Sequence, residues 1–116
     1  MIITREQICA AIPAVRKDLV ENRNWGQGAF ESEITGQRCF LGSFRKHILG
    51  SAIFVGPAGS YPGSYWAAVD EAVSWFFFES GRHYSATEWN DRVASSIADV
   101  DAKLKEGEAK CSQESS

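Results

Sequence analysis

No segment limits the possible folds more than the apolar stretch from Tyr65 to Glu79. Its large side chains recur at helical spacing and would form one helix face: Trp66, Val69, Val73, Phe76 and Phe77. Trp75 and Phe78 widen this face, and the polar residues leave a narrow edge: Asp70, Glu71, Ser74 and Glu79. A helix that is apolar on most sides is normally buried. The stretch therefore predicts a long central helix.

Further helices are predicted on both sides of this stretch. The segment 4–7 has the pattern of a capping box, and a helical apolar stripe follows it to about Glu21. Pro13 interrupts the stripe, so this helix either kinks there or ends and restarts. A short amphipathic helix is expected at 41–49, and a last helix begins near Ser96.

A small β-hairpin is predicted at about 28–40. Two strand-like halves surround the sequence Glu33-Ile34-Thr35-Gly36, in which Gly36 can supply the positive φ of a tight turn. Two strands alone are marginally stable, so this hairpin must pack on a helix. The predicted fold class is therefore α+β and mainly α, with about four helices around the long apolar central helix and one small hairpin.

The length of 116 residues is that of one domain. Past Gly107 the sequence has no apolar periodicity. We therefore expect a single globular domain at 1–107 and a disordered tail at 108–116.

Charge and cysteine content argue against several classes of protein. The net charge of −3, from 12 basic and 15 acidic residues, offers no basic stripe for nucleic acid. The apolar stretches are far shorter than the ~20 residues that span a bilayer, so no membrane association is expected. The odd, widely spaced cysteines predict neither a disulfide framework nor a zinc site: Cys9, Cys39 and Cys111. Together with an N-terminus unlike a signal peptide, they indicate a cytoplasmic protein.

Three short motifs give the chain a family resemblance. They are Trp25-x-Gln27-Gly28, Cys39-Phe40-Leu41-Gly42 and Trp89-Asn90-Asp91, with a glycine at position 36 between the first two. With these motifs the chain resembles an uncharacterised domain-of-unknown-function family of small phage and bacterial proteins. The resemblance covers about 15–104, and relative to it the segment 56–63 is an insertion. It implies a fold and a phage-linked context, and no activity.

Gln27, Asn90 and Asp91 are candidate binding residues. Trp89 could offer an aromatic platform to a ligand, with the Asn90 amide and the Asp91 carboxylate beside it. The structural alternative is that Trp89 fills the core while Asn90 and Asp91 bond to loop backbone. Gln27 could likewise present its amide to a ligand, or the glycines beside it could simply let the chain turn. The structural alternative is favoured in both cases.

Cys39, His83 and Asn90 supply the residue types of a cysteine-protease triad, and His47 is a second possible base. The local signatures of such enzymes are absent, and Cys39 opens an apolar run, so a buried structural role is favoured. The two histidines are too far apart to predict a metal site. No catalytic residue, metal or cofactor is therefore assigned.

The Gly- and Pro-rich loop leading to Trp66 is a candidate interface. It carries Tyr61 and Tyr65, and aromatic side chains on loops are common where proteins meet. The leading hypothesis is a small, non-enzymatic accessory protein of phage type that binds a protein, and it would suit interference with a host defence system. The alternatives are a cysteine-dependent hydrolase that uses Cys39 and a small-ligand or nucleotide-binding module.

Overall fold

The protein is described by a computed structural model over residues 2–50 and 63–114, in which Ser64, His83 and Glu114 are defined by their backbone alone. Five α-helices follow one another in the chain: α1 Arg5–Arg16, α2 Phe40–Leu49, α3 Gly63–Phe78, α4 His83–Glu88 and α5 Ile97–Glu114. Two π-helical turns, Lys17–Glu21 and Trp89–Val93, directly continue α1 and α4. The protein is therefore mainly helical, as the sequence predicted.

The first helix begins at the predicted capping box. The Thr4 hydroxyl accepts a hydrogen bond from the Gln7 backbone N–H, and the Gln7 side chain accepts one from the Thr4 N–H at 2.8 Å. Pro13 lies inside α1 and does not split it. The π-helical turn after Arg16 then carries the chain to Glu21, where the sequence predicted the end of the helical segment.

The predicted hairpin at 28–40 is not observed. The described residues contain no strand, and this segment has two isolated bridges, from Arg38 to Trp25 and from Arg38 to Glu31. The Ser32 hydroxyl accepts hydrogen bonds from the N–H groups of residues 34 and 35, and the Ser32 carbonyl accepts one from Gly36. These local bonds close a turn and compete with a strand ladder. Gly36 does adopt the expected positive φ, at 76°.

The long apolar helix, α3, has one exposed side. Its fully buried residues Val69 and Val73 face the core, but Trp75, which the sequence assigned to the buried face, is 58% exposed. In contrast, Asp70 and Ser74 were assigned to the wet edge and are buried. The apolar composition predicted the helix but could not predict which side other helices would cover.

The last helix continues well past Gly107. It ends at Glu114, so helix replaces the disordered tail expected from residue 108, and residues 115–116 lie outside the described part. The sequence analysis also wrongly excluded a disulfide in this region: Cys9 of α1 is bonded to Cys111 of α5, with their Cα atoms 5.9 Å apart. The cytoplasmic prediction relied partly on unbridged cysteines and loses that support, because disulfides are rare in the cytosol.

Phe40 lies at the centre of an aromatic cluster in the core. It is fully buried, and its ring centroid is 5.0 to 6.1 Å from those of four other aromatic residues: Phe44, Phe77, Phe78 and Trp89. Such edge and tilted contacts are favourable geometries for aromatic pairs. Helices α2, α3 and the turn after α4 therefore meet at the first residue of α2.

Candidate functional site

Asn90 is fully buried and uses its side-chain amide to join three segments of the chain. Its Oδ1 accepts hydrogen bonds from Trp25 Nε1 at 2.7 Å and from the Phe40 backbone N–H at 3.0 Å. Its Nδ2 donates to the Gly26 carbonyl at 3.1 Å and to Asp91 Oδ1 at 2.9 Å. All four hydrogen-bonding positions of the amide are thus occupied within the protein.

Gln27 and Asp91 extend this arrangement, which we call the Asn90 network. The Gln27 amide Nε2 lies 2.9, 3.2 and 3.0 Å from the carbonyl oxygens of Asn90, Asp91 and Ala94. These carbonyls lie at the end of a helical segment, where backbone acceptors have no helical partner. Asp91 Oδ1 accepts from the Gly28 N–H at 3.0 Å. Three of the candidate binding residues, Gln27, Asn90 and Asp91, therefore meet, and they bond to one another, to backbone groups and to the Trp25 side chain.

Cys39 lies next to this network, at the start of α2. It is buried and unbridged, and its sulfur accepts a hydrogen bond from the Gly42 N–H at 3.3 Å. Burial raises the pKa of the thiol to about 11. A thiol with this pKa is protonated at neutral pH and is a poor nucleophile. Asn90 bonds to the Phe40 N–H, next to Cys39 in the chain, and the His83 side chain lies outside the described atoms.

The residues gathered here lie in a part of the chain that matches a protein family. The sequence model of a family described as "Family of unknown function (DUF6197)" matches residues 6–110. The chain belongs to this family. Comparisons with curated proteins and with solved structures gave no match.

The motifs that carried the family resemblance coincide with the Asn90 network. Trp25, Gln27 and Gly28 bind Asn90 and Asp91 or the carbonyls beside them, and Phe40 binds Asn90. Gly42 completes the arrangement, because a Cβ placed there would lie 1.9 Å from the Phe30 carbonyl oxygen. In this member of DUF6197 the motif residues hold the 24–31 segment against α2 and the turn after α4.

Two buried ion pairs were missed by the sequence analysis. Asp18 accepts hydrogen bonds from Asn24, Ser43 and Arg38 at 2.9, 2.8 and 2.7 Å, and His47 Nε2 lies 3.6 Å from its carboxylate. These partners hold the pKa of Asp18 below its ordinary value against the opposing effect of burial. No sequence periodicity marks such a site, since Asp18 sits on a helix among ordinary polar neighbours.

The second pair lies between α2 and α3. The Arg45 guanidinium makes two hydrogen bonds to the Asp70 carboxylate and lies 3.7 Å from the centroid of the Phe30 ring. It also lies 5.3 Å from the Trp66 ring. The Arg45 charge is thus neutralised and covered by aromatic rings, and the pair joins two helices. The ion pairs of Asp18 and of Arg45 with Asp70 thus explain why these three charged residues are buried.

Neither pair forms a metal site. Among the described residues, no three His, Cys, Asp or Glu side chains are placed to hold a metal ion. No helix in the same part of the chain has the length and apolarity needed to span a membrane.

The most exposed large aromatic side chain described is Trp75, and apolar neighbours surround it. Two shallow cavities of about 290 and 270 Å³ flank its ring and share Ile3 and Ala72. Ile2, 86% exposed, and Ala68 line the second cavity. We refer to the five apolar residues as the Trp75 surface: Ile2, Ile3, Ala68, Ala72 and Trp75. Ile2 and Trp75 are its exposed members, whereas Ala68 and Ala72 are half-buried and Ile3 is buried. Exposed apolar patches are typical of interaction sites.

The remaining candidate interface residues lie elsewhere. Tyr65 is half-buried in the first turns of α3, and Tyr61 lies outside the described residues. The described residues therefore contain two candidate sites. The Asn90 network is polar, and its hydrogen bonds are made within the protein. The Trp75 surface is apolar, and its Trp75 and Ile2 side chains are exposed.

Proposed function

We propose that the protein is a non-enzymatic accessory factor that binds another protein through the Trp75 surface. The observation that carries this proposal is the 58% exposure of Trp75 beside Ile2, at 86% exposure. Trp is among the residues that most often contribute the largest binding energies at interfaces. An exposed Trp on α3 with an exposed Ile beside it provides such an anchor without a catalytic group.

The internal hydrogen bonds of Asn90 and Gln27 support the same proposal, because they argue against a ligand site at the Asn90 network. The Asn90 amide has its four hydrogen bonds within the protein, and the Gln27 amide binds three carbonyls. A ligand at this site would have to replace those bonds at a cost in desolvation. The protonated thiol of Cys39 likewise disfavours the hydrolase alternative.

Site-specific photo-crosslinking in the producing cells tests the binding surface. A photoreactive amino acid replaces Trp75 in one variant and Ile34 in the other, since Ile34 is 95% exposed in the turn at 32–36. We expect a discrete crosslinked protein from position 75 that position 34 does not give. Trp75→Ser should reduce recovery of that protein at least about tenfold, as loss of an anchor does. Equal capture from both positions would contradict the proposal.

The phage-linked context of the family resemblance favours one specific form of this function, interference with a bacterial defence protein. Bacteria that express the chain should then be infected more efficiently by a phage that their defence system restricts. Trp75→Ser should abolish this effect, while Ile34→Ser keeps it. If the wild-type chain, Trp75→Ser and Ile34→Ser all leave infection unchanged, interference with a defence protein is rejected. The crosslinking experiment then remains the test of the binding surface.

A further inference from the structure

The last turns of α5 are held by a covalent bond and by polar contacts, and residues 108–113 include no buried side chain. The helix has fully buried Val100 and Leu104 and a buried Gly107, but none of residues 108–113 is buried. Segments with few buried apolar contacts open locally at a small cost in free energy. The bond from Cys111 to Cys9 is the covalent restraint on α5 beyond Gly107, and the ion pair of Glu108 with Arg16 and the contacts of Lys110 add to it.

Lys110, one residue before this bond, helps to cover Phe76. Its Nζ donates to the Phe76 carbonyl at 2.6 Å and lies 5.5 Å from the Phe76 ring. The Lys110 carbonyl in turn accepts a hydrogen bond from the Arg5 guanidinium at 2.8 Å, and this guanidinium lies 4.9 Å from the same ring. Phe76 is consequently only 8% exposed.

Phe76 borders the Trp75 surface. It follows Trp75 on α3 and lines the cavity of about 290 Å³ together with Ile3 and Ile8. Displacement of Lys110 would remove one cover of the Phe76 ring and one acceptor of the Arg5 guanidinium. The apolar surface would then extend from Trp75 to Phe76.

We propose that the Cys9–Cys111 disulfide is a redox latch, whose reduction releases the end of α5 and enlarges the Trp75 surface. This inference rests on the proposed function, because it assigns regulation to the same surface. Cys9 and Cys111 are only partly buried, so a dithiol reductant can reach the bond. The structure thus offers a route by which the redox state of the surroundings controls partner binding.

In this thiol–disulfide exchange, the dithiol supplies both electrons that reduce the Cys9–Cys111 bond. One thiolate of the dithiol attacks a sulfur of the disulfide, which breaks the S–S bond and forms a mixed disulfide. The second thiolate of the dithiol displaces the remaining cysteine. The dithiol leaves as a disulfide after giving up two electrons, and Cys9 and Cys111 each take up a proton.

Hydrogen exchange of the oxidised protein, with and without dithiothreitol, tests the latch. After reduction, confirmed by the mass of two added hydrogens, amides at 108–114 should exchange at least about tenfold faster than those at 97–104, which stay protected up to the global free energy of unfolding of the reduced protein. Fluorescence of the apolar dye anilinonaphthalene sulfonate should rise on reduction, and Trp75→Ser should diminish the rise. The Cys9→Ser/Cys111→Ser variant should behave as reduced protein and not respond to dithiothreitol.

Several outcomes would overturn the latch. Unchanged exchange at 108–114 after confirmed reduction would show that other contacts suffice. Exchange at 97–104 as fast as at 108–114 would make the bond a support for the whole helix. Faster exchange at 108–114 without a rise in dye fluorescence would show that no surface is uncovered. A failure of the proposed function would be distinguishable from these outcomes. Hydrogen exchange and dye fluorescence would then change as expected on reduction, but the photoreactive residue at position 75 would crosslink no protein in either redox state.

Discussion

At the scale of single residues, the side chains that looked most like a ligand site act on the protein itself. Asn90 provides the clearest example, because one buried amide fixes the Trp25 side chain, the first N–H of α2 and the Gly26 carbonyl. We infer this connecting role because the Asn90 side chain is buried and makes four hydrogen bonds within the protein. The presence of an asparagine in the sequence could not by itself distinguish this role from ligand binding.

Asn90→Ala should lower the free energy of unfolding by about 3 kcal/mol, because it leaves several buried polar groups without their partner. Urea unfolding measures the change. Asn22→Ala is the matched control, since Asn22 is exposed, and it should shift the midpoint little. Equal shifts for both variants would contradict the connecting role of Asn90.

Cys39 predicts a pH dependence of stability. Its pKa is raised from 9.0 to about 11 by burial. The folded state therefore favours the neutral thiol, and this contribution is complete below pH 9 and is lost as the pH rises to 11. Between these values, the wild-type protein should lose about 2–3 kcal/mol of stability relative to Cys39→Ala. Parallel unfolding curves of the oxidised proteins at pH 8 and 11 measure this difference, and a constant difference would contradict it.

At the scale of elements, two glycines set how closely helices approach their neighbours. A Cβ at Gly42 of α2 would lie 1.9 Å from the Phe30 carbonyl oxygen, whereas a Cβ at Gly107 of α5 would meet the Phe77 ring at 2.5 Å. The first neighbour is backbone and the second is a side chain that can shift. The two positions therefore differ in how much a methyl group should disturb them.

Gly42→Ala should destabilise the protein by about 3 kcal/mol, and Gly107→Ala should cost clearly less, although both place alanine inside a helix. Thermal or urea unfolding of the two variants provides the comparison, and each serves as the control for the other. The reverse order would show that the 24–31 segment moves away from α2 more easily than the Phe77 ring turns.

The elements that sequence could predict are those whose signals are local. The Thr4–Gln7 capping box and the short helix ended by Gly50 depend on neighbouring residues, and both are present. The hairpin was wrong because the Ser32 hydroxyl favours a closed turn over a ladder. The exposure of Trp75 and the pairing of Arg45 with Asp70 depend on how distant helices pack, which periodicity along one helix does not determine.

At the scale of the whole molecule, the disulfide joins the first helix to the last across a sequence separation of 102 residues. Such a bond restricts the unfolded chain much more than the folded one. Sequence analysis missed it because an odd number of distant cysteines gives no indication of which two will meet. Their meeting requires α1 and α5 to pack side by side, which is a property of the complete fold.

Reduction of this bond should lower the free energy of unfolding by about 4–5 kcal/mol on the chain-entropy model, because the closed loop is about 100 residues long. Urea unfolding of oxidised protein and of Cys9→Ser/Cys111→Ser measures the difference. Cys39→Ser is the matched control, because it also removes a thiol but leaves the loop closed. A loss no larger than that of the control would show that the loop adds little to stability.

The same bond makes most of the chain a covalent ring. A protease that cuts once in the turn at 32–36, where Ile34 is 95% exposed, opens the ring but separates nothing. The nicked molecule should migrate as one species on a non-reducing gel, heavier than the intact chain by a single water. Only a reductant should divide it into two fragments, so damage to the backbone would stay hidden for as long as the surroundings remain oxidising.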